Sequence, residues 1–245
     1  MPINQNYIDD VATEIASMTD TLQQEMVRDL LKLSKDIKFQ SIDEFLLAME
    51  QLNIEQIVLT KSHNIIDGYN LAHTQILSDM TLFAPTTEST LQAITNFSTS
   101  SFADSLGSMG NVIKREIIKG ALGEATEQGI FQAIQQQAGL SNAQMQTLVT
   151  TGLNDYSASV GKIMIDEAPE NEKFRYIGAI DDRTRPFCLR VWDAGEMTKK
   201  EIAQRFPTND QNGDTFINRG GYNCRHQWMP VTASDESKDV RTDAG

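Results

Sequence analysis

Cysteine is scarce in this chain: 245 residues hold two, Cys188 and Cys224. A disulfide framework needs more, so packing has to hold the protein together. Basic residues are in deficit as well. Lys and Arg number 21 against 34 Asp and Glu, for a net charge of −13, which argues against broad nucleic-acid binding because phosphate contacts need surplus positive charge. No apolar run approaches the roughly 18–20 residues that cross a bilayer, so no membrane partner is expected. "MPINQNYIDDVATEIA" lacks the basic flank and apolar core of a signal peptide, and synthesis in the cytosol is the expectation. A Gly-rich phosphate loop, H-E-x-x-H and G-x-S-x-G are all missing, which removes the commonest catalytic signatures. What is present, 40% hydrophobic and 22% charged residues, suits a chain that buries a core in one large domain or two ordinary ones.

The stretch 1–168 reads as helix after helix. Ile8, Val11, Ile15, Met18, Leu22, Met26 and Leu30 recur at the spacing of one helical face. "SIDE", Ser41 to Glu44, has the form of a capping box ahead of Phe45, Leu46 and Met49. Apolar residues from Ile54 to Met80 predict one long helix that tolerates Gly68 and is closed by Pro85. Leu91, Ile94, Phe97 and Phe102 predict another, broken at "SLGSMG" by two glycines. Gly120, Gly123 and Gly129 weaken the next stretch by about 1 kcal/mol each against alanine in a helix. Ser141 is the expected N-cap of a last helix ending near Ile165. His63 and His73 have no acidic or cysteine pattern around them and read as structural. Low aromatic content and long amphipathic helices suit a bundle with some faces open to partner subunits.

After "DEAPENE" the pattern changes. "KFRYIGAI", Lys173 to Ile180, alternates as a strand with Phe174, Tyr176, Gly178 and Ile180 on one face. "DDRTRPFC" turns into a short helix with Pro186 at its first position. Thr198 to Glu201, "TKKE", is a second capping-box form, for a helix carrying Ile202 and Phe206 and ended by Pro207. "TNDQNGDTF" is a polar loop, and "RHQWMPV" a closing strand that pairs with "KFRYIGAI". The expected fold is therefore a mainly α N-terminal helical region with a small C-terminal α+β module at 169–232 and a flexible tail at 233–245. Charge follows the same division. Residues 1–165 hold 9 basic and 19 acidic side chains, whereas 170–232 hold 10 and 9.

The chemistry concentrates in "DDRTRPFC" and "RGGYNCRHQW", and the residues leave four readings open. Cys188, Cys224 and His226 are soft metal ligands, with Asp181, Asp182 or water needed to complete a zinc site. Cys188 and Cys224 are also a candidate disulfide, opposed by a reducing cytosol. A catalytic reading takes Cys188 or Cys224 as a thiolate nucleophile with His226 and Asp182, or "GGYNCRH" with Arg183 and Arg185 as a phosphate clamp; the alternative function is then a nuclease or metal-dependent hydrolase using Cys188, Cys224 and His226. The structural reading is favoured. In it Arg183, Arg185 and Arg225 pair with Asp181, Asp182 or backbone carbonyls. Gly220, Gly221 and Asn223 take positive-φ turn positions, and Trp228 anchors the core.

"YIGAIDDRTRPFC", "GEMTKKEI" and "GGYNCRHQWMPV" in that order resemble the C-terminal signature of the phage Mu F-like minor head proteins, also called head morphogenesis proteins. The matching positions are Asp181, Arg183, Thr184, Arg185, Pro186 and Cys188, then Asn223, Cys224, Arg225, His226, Trp228, Pro230 and Val231. The resemblance covers about the last 65 residues and leaves the helical half undiagnosed. It implies a structural rather than enzymatic protein of a tailed-phage head, made in the host cytoplasm. Such a protein sits in few copies near the portal protein and acts in head assembly and DNA packaging or ejection. The implied partners are the portal and the major capsid or scaffolding protein, with packaged DNA a weaker one. Many relatives exchange Cys and His at the positions of Cys188 and His226, which fits a shared metal or buried contact better than a disulfide.

Overall fold

The structure is a computed structural model that describes residues 5–36, 42–81, 88–121, 127–137, 141–221 and 224–231. Ser41, Pro85, Gly123, Asn223 and the 233–245 tail lie outside the described residues. The described residues are mainly α-helical, with a small antiparallel sheet in the C-terminal part. Its contacts divide it into two units: described residues among 4–75 and 92–153 form one, and those among 76–91 and 154–245 the other.

The first unit is built of long helices. Helix α1 (Gln5–Asp36) buries Ile8, Ile15, Leu22, Met26 and Leu30 of the predicted stripe, while Val11 and Met18 are half-buried. Its buried face is wider than that stripe, because Ala12, Ala16, Thr19, Gln23, Val27 and Leu31 are buried as well. Helix α2 (Ile42–Gln51) follows, burying Met49. The single helix predicted from Ile54 to Met80 is instead two, α3 (Ile54–Lys61) and α4 (His63–Thr81). The break is at Ser62, whose N–H is shared between Val58 O at 2.9 Å and Leu59 O at 3.2 Å and whose hydroxyl also donates to Val58 O at 2.6 Å.

The break expected at "SLGSMG" does not occur. Helix α5 (Glu88–Ala121) runs through it without interruption. Gly110 serves a different purpose from breaking the helix: a Cβ there would lie 2.7 Å from Glu55 Cα and 2.8 Å from Glu55 N, so its absence lets α3 approach α5 backbone to backbone. Gly68 on α4 has nothing within 4 Å of the same position. Opposite outcomes are therefore expected on denaturation followed by circular dichroism. Gly68→Ala should stabilise by about 0.5–1 kcal/mol through helix propensity. Gly110→Ala should destabilise by about 1–3 kcal/mol, overpacking overriding the same gain. Equal shifts of the same sign would contradict the close approach.

Helix α6 (Glu127–Gln137) packs on α1. Helix α7 (Asn142–Glu167) begins as expected, with Gln144 N–H donating to the Ser141 hydroxyl and Gln144 Oε1 accepting from Ser141 N. His63 is exposed, whereas His73 is buried. His73 Nε2 lies 3.0 Å from the Ser98 hydroxyl and its ring packs edge-on to Tyr69. Burial holds its pKa down at about 4, so it is a neutral core histidine.

The second unit holds the α+β module. Its strands are β1 (Lys173–Ile177), β2 (Met197–Thr198) and β3 (Gln227–Pro230), in the order β2-β1-β3. Strands β1 and β3 pair as predicted, with Tyr176 opposite Trp228. Strand β1 stops short of Ile180, which is exposed. Its pairing ends at Ile177 opposite Gln227, the first residue of β3, and at Gly178 just beyond a Cβ would meet the His226 ring at 2.6 Å. Helix α8 (Pro186–Asp193) carries Pro186 in its first turn, and α9 (Lys199–Arg205) is capped by the Thr198–Glu201 box. Lys199 Nζ donates to Ala168 O at 2.9 Å, tying the C-terminal end of α7 to the start of α9. The module core gathers Ile165, Phe174, Tyr176, Phe187, Cys188, Val191, Met197, Ile202, Cys224 and Trp228.

Candidate metal centre and clasp

The turn after β1 is set by short-range bonds. Asp181 N–H donates to Thr184 Oγ1 at 2.8 Å, Arg183 N–H to Asp181 Oδ1 at 3.0 Å, and Thr184 Oγ1–H to Ala179 O at 3.2 Å. The turn delivers Arg185 in extended conformation as the N-cap of α8. Pro186 then suits the first helical turn because no N–H is needed there.

Across the module, Arg225 donates through both Nη atoms to both Asp181 oxygens, at 2.7 and 2.6 Å. This is one of the arginine–carboxylate pairings expected from sequence; Asp182 and Arg183 lie exposed in the turn, and the Arg185 backbone begins α8. The guanidinium bonds hold the Asp181 carboxyl well below the usual carboxylate range. A group depressed in this way contributes stability above its unfolded pKa and loses it as pH falls through the folded one. Asp181→Asn is thus expected to lower the melting temperature at pH 7, and the gap from wild type should close as pH drops below about 4. A gap independent of pH would mean the pair contributes no charge-dependent stability.

The second half of the clasp comes from the polar loop, which braces itself. Asn209 Oδ1 accepts from Gln211 N at 2.8 Å and Gly213 N at 2.9 Å. Asp214 Oδ1 accepts from Phe216 N and Ile217 N, and Asn218 N–H donates to Asp214 O. Arg219, which the sequence reading did not single out, is buried at φ +50° and donates to Asn154 O at 2.8 Å. Gly221 takes the expected positive φ, +96°. Gly220 does not, and its role is spatial: a Cβ there would sit 2.2 Å from Cys188 Sγ and 3.0 Å from Cys224 Sγ.

These segments bring Cys188, Cys224 and His226 together, with ligand atoms all within 4.8 Å of one another and the three residues 1%, 3% and 2% exposed. The two sulfurs are 3.6 Å apart and are thiols, well outside the bonded length of about 2.05 Å. His226 Nδ1 is 3.9 Å from Cys224 Sγ, while its buried Nε2 has no hydrogen-bond partner among the described residues. The Tyr176 hydroxyl lies 3.4 Å from Cys224 Sγ and 3.8 Å from Cys188 Sγ. Within the thiol pair, the hydrogen bond from Cys188 holds Cys224 below the usual thiol range and pushes Cys188 above it, and burial raises both. Burial, and then the neighbouring sulfurs, push the Tyr176 phenol up.

Two sulfurs and an imidazole, buried together, are the donor set of a soft divalent cation. The backbone of Gly220 against both sulfurs, and His226 Nδ1 at 3.9 Å from Cys224 Sγ, fit that use. Asp181, weighed as a fourth ligand from sequence, has both oxygens on Arg225. Comparison of the chain with protein-family models, with curated proteins and with solved structures finds no match.

Proposed function

We propose that this chain is a minor head protein of a tailed bacteriophage, a structural component located near the portal and acting in head assembly and in DNA packaging or ejection. The observation that carries the reading is the closure of the two motif blocks on each other. "DDRTRPFC" and "NCRHQW" are joined by the Asp181–Arg225 fork and by the Cys188, Cys224 and His226 cluster. The blocks on which the resemblance rests thus form one bracing unit. Burial of all three soft ligands supports bracing over the nuclease or hydrolase alternative, since a macromolecular substrate needs an accessible nucleophile or metal-bound water. The helical unit, with Leu71 and Phe97 exposed at 67% and 76%, is the part assigned to docking on the portal, capsid or scaffolding protein.

In this reading the cluster holds a zinc ion through Cys188, Cys224 and His226, and the ion supplies cross-linking of α8 to the segment before β3. Metal analysis of the purified chain should find one zinc per molecule, lost in Cys224→Ser. The functional test is a nonsense mutation in the phage that encodes the chain. Expected are heads that assemble poorly or yield few infectious particles, restored by the protein supplied in trans. Normal yields of infectious virions without the protein would overturn the assignment.

A further inference from the structure

The three soft ligands leave a tetrahedral ion one donor short. We infer that Tyr176 supplies the fourth ligand through its hydroxyl oxygen, closing the site as Cys188, Cys224, His226 and Tyr176. The inference rests on the zinc reading above and adds to it the character of the site, filled by protein rather than open to a reacting water.

The argument is geometric. With metal–sulfur lengths near 2.3 Å and metal–nitrogen or metal–oxygen lengths near 2.0 Å, neighbouring donors of a tetrahedral ion stand roughly 3.3–3.8 Å apart, sulfur pairs at the upper end. The observed separations are 3.6 Å for the sulfur pair, 3.4 and 3.8 Å from the Tyr176 oxygen to the two sulfurs, and 3.9 Å from His226 Nδ1 to Cys224 Sγ, with the Cys188, Cys224 and His226 ligand atoms all within 4.8 Å of one another. The oxygen therefore stands about as far from each sulfur as the sulfurs stand from each other. Tyr176 is held in that position. It is fully buried at the centre of the β1–β3 pairing, and its ring stacks on the His226 ring at 5.3 Å and 9°. A phenol whose only role was to fill the core would be expected to find a carbonyl or water for its hydroxyl. This one is aimed at two sulfurs.

Coordination through the oxygen releases the phenol proton to solvent together with the proton held by the thiol pair, and the charge left on the sulfurs is offset by the fields of Arg185 and Arg225. The test is a zinc titration of the full-length chain followed by ultraviolet difference absorption, alongside Tyr176→Phe. Expected is a tyrosinate difference band that grows to one equivalent of zinc in the wild type and is absent in Tyr176→Phe. Cobalt-loaded Tyr176→Phe should then bind added azide, visible in the cobalt spectrum, while the cobalt-loaded wild type does not. One equivalent of zinc bound without a tyrosinate band overturns the fourth-ligand assignment and leaves the zinc reading standing. No zinc bound at one equivalent overturns both.

Discussion

Trp228→Ala is expected to destabilise the small module by about 3–5 kcal/mol, the range for removing a buried indole. The side chain is almost fully buried, with its ring 4.8 Å from Tyr176 and 6.2 Å from Phe216. Its Nε1–H donates to Thr215 O at 3.1 Å, which ties β3 to the loop that carries Arg219 and Gly220. Two losses therefore combine: a cavity beside Tyr176, and a buried carbonyl left without its donor. Trp228→Phe separates them, since it keeps most of the ring and loses the N–H, and should cost less than the alanine variant. Urea unfolding followed by near-ultraviolet circular dichroism reads both. A loss below about 1 kcal/mol for Trp228→Ala would show that the indole is not the anchor of this core.

The second large effect is expected at Gly220. Alanine there places a methyl group 2.2 Å from Cys188 Sγ, and a cysteine has one side-chain torsion with which to retreat. Its neighbours, Cys224 and the Tyr176 hydroxyl, are packed in the same space. Gly220→Ala should therefore cost at least about 2–3 kcal/mol by overpacking, expose the thiols to alkylating reagents and abolish stoichiometric zinc. Gly221→Ala is the control. Its positive φ costs about 1 kcal/mol, but the atom a Cβ would meet is Gln211 Oε1, the mobile end of a long side chain. The order Gly220→Ala worse than Gly221→Ala is the outcome required; the reverse order would mean that conformation, not approach to the sulfurs, governs the pair.

Much of the fold could be read from local pattern. The apolar stripe of α1, Ser141 at the start of α7, Pro186 in α8, the Thr198–Glu201 box and the β1–β3 pairing all rest on interactions within a few residues or on strict alternation. What escaped depends on partners distant in sequence. Glycines in "SLGSMG" look like helix breakers until Glu55 is seen against Gly110. Gly220 looks like a turn residue until the sulfurs are placed beside it. The two-residue strand β2 is too short to show alternation. At the candidate site, Cys188, Cys224 and His226 were recognisable by residue type, because few other side chains bind soft metals. Tyr176 was legible as a core residue of β1 and not as a neighbour of both thiols, since its hydroxyl meets them across 12 and 48 positions. Arg219 stood at the edge of the dense block "RGGYNCRHQW" with nothing to mark its partner: its bond to Asn154 O spans 65 positions.

The most direct test of the proposed role is quantitative mass spectrometry of purified virions of the phage that encodes this chain, before and after the genome is released. The account predicts the protein in every preparation, in a few copies relative to the major capsid protein and enriched with the portal when heads are dissociated. Virions of full infectivity that lack the protein would contradict it.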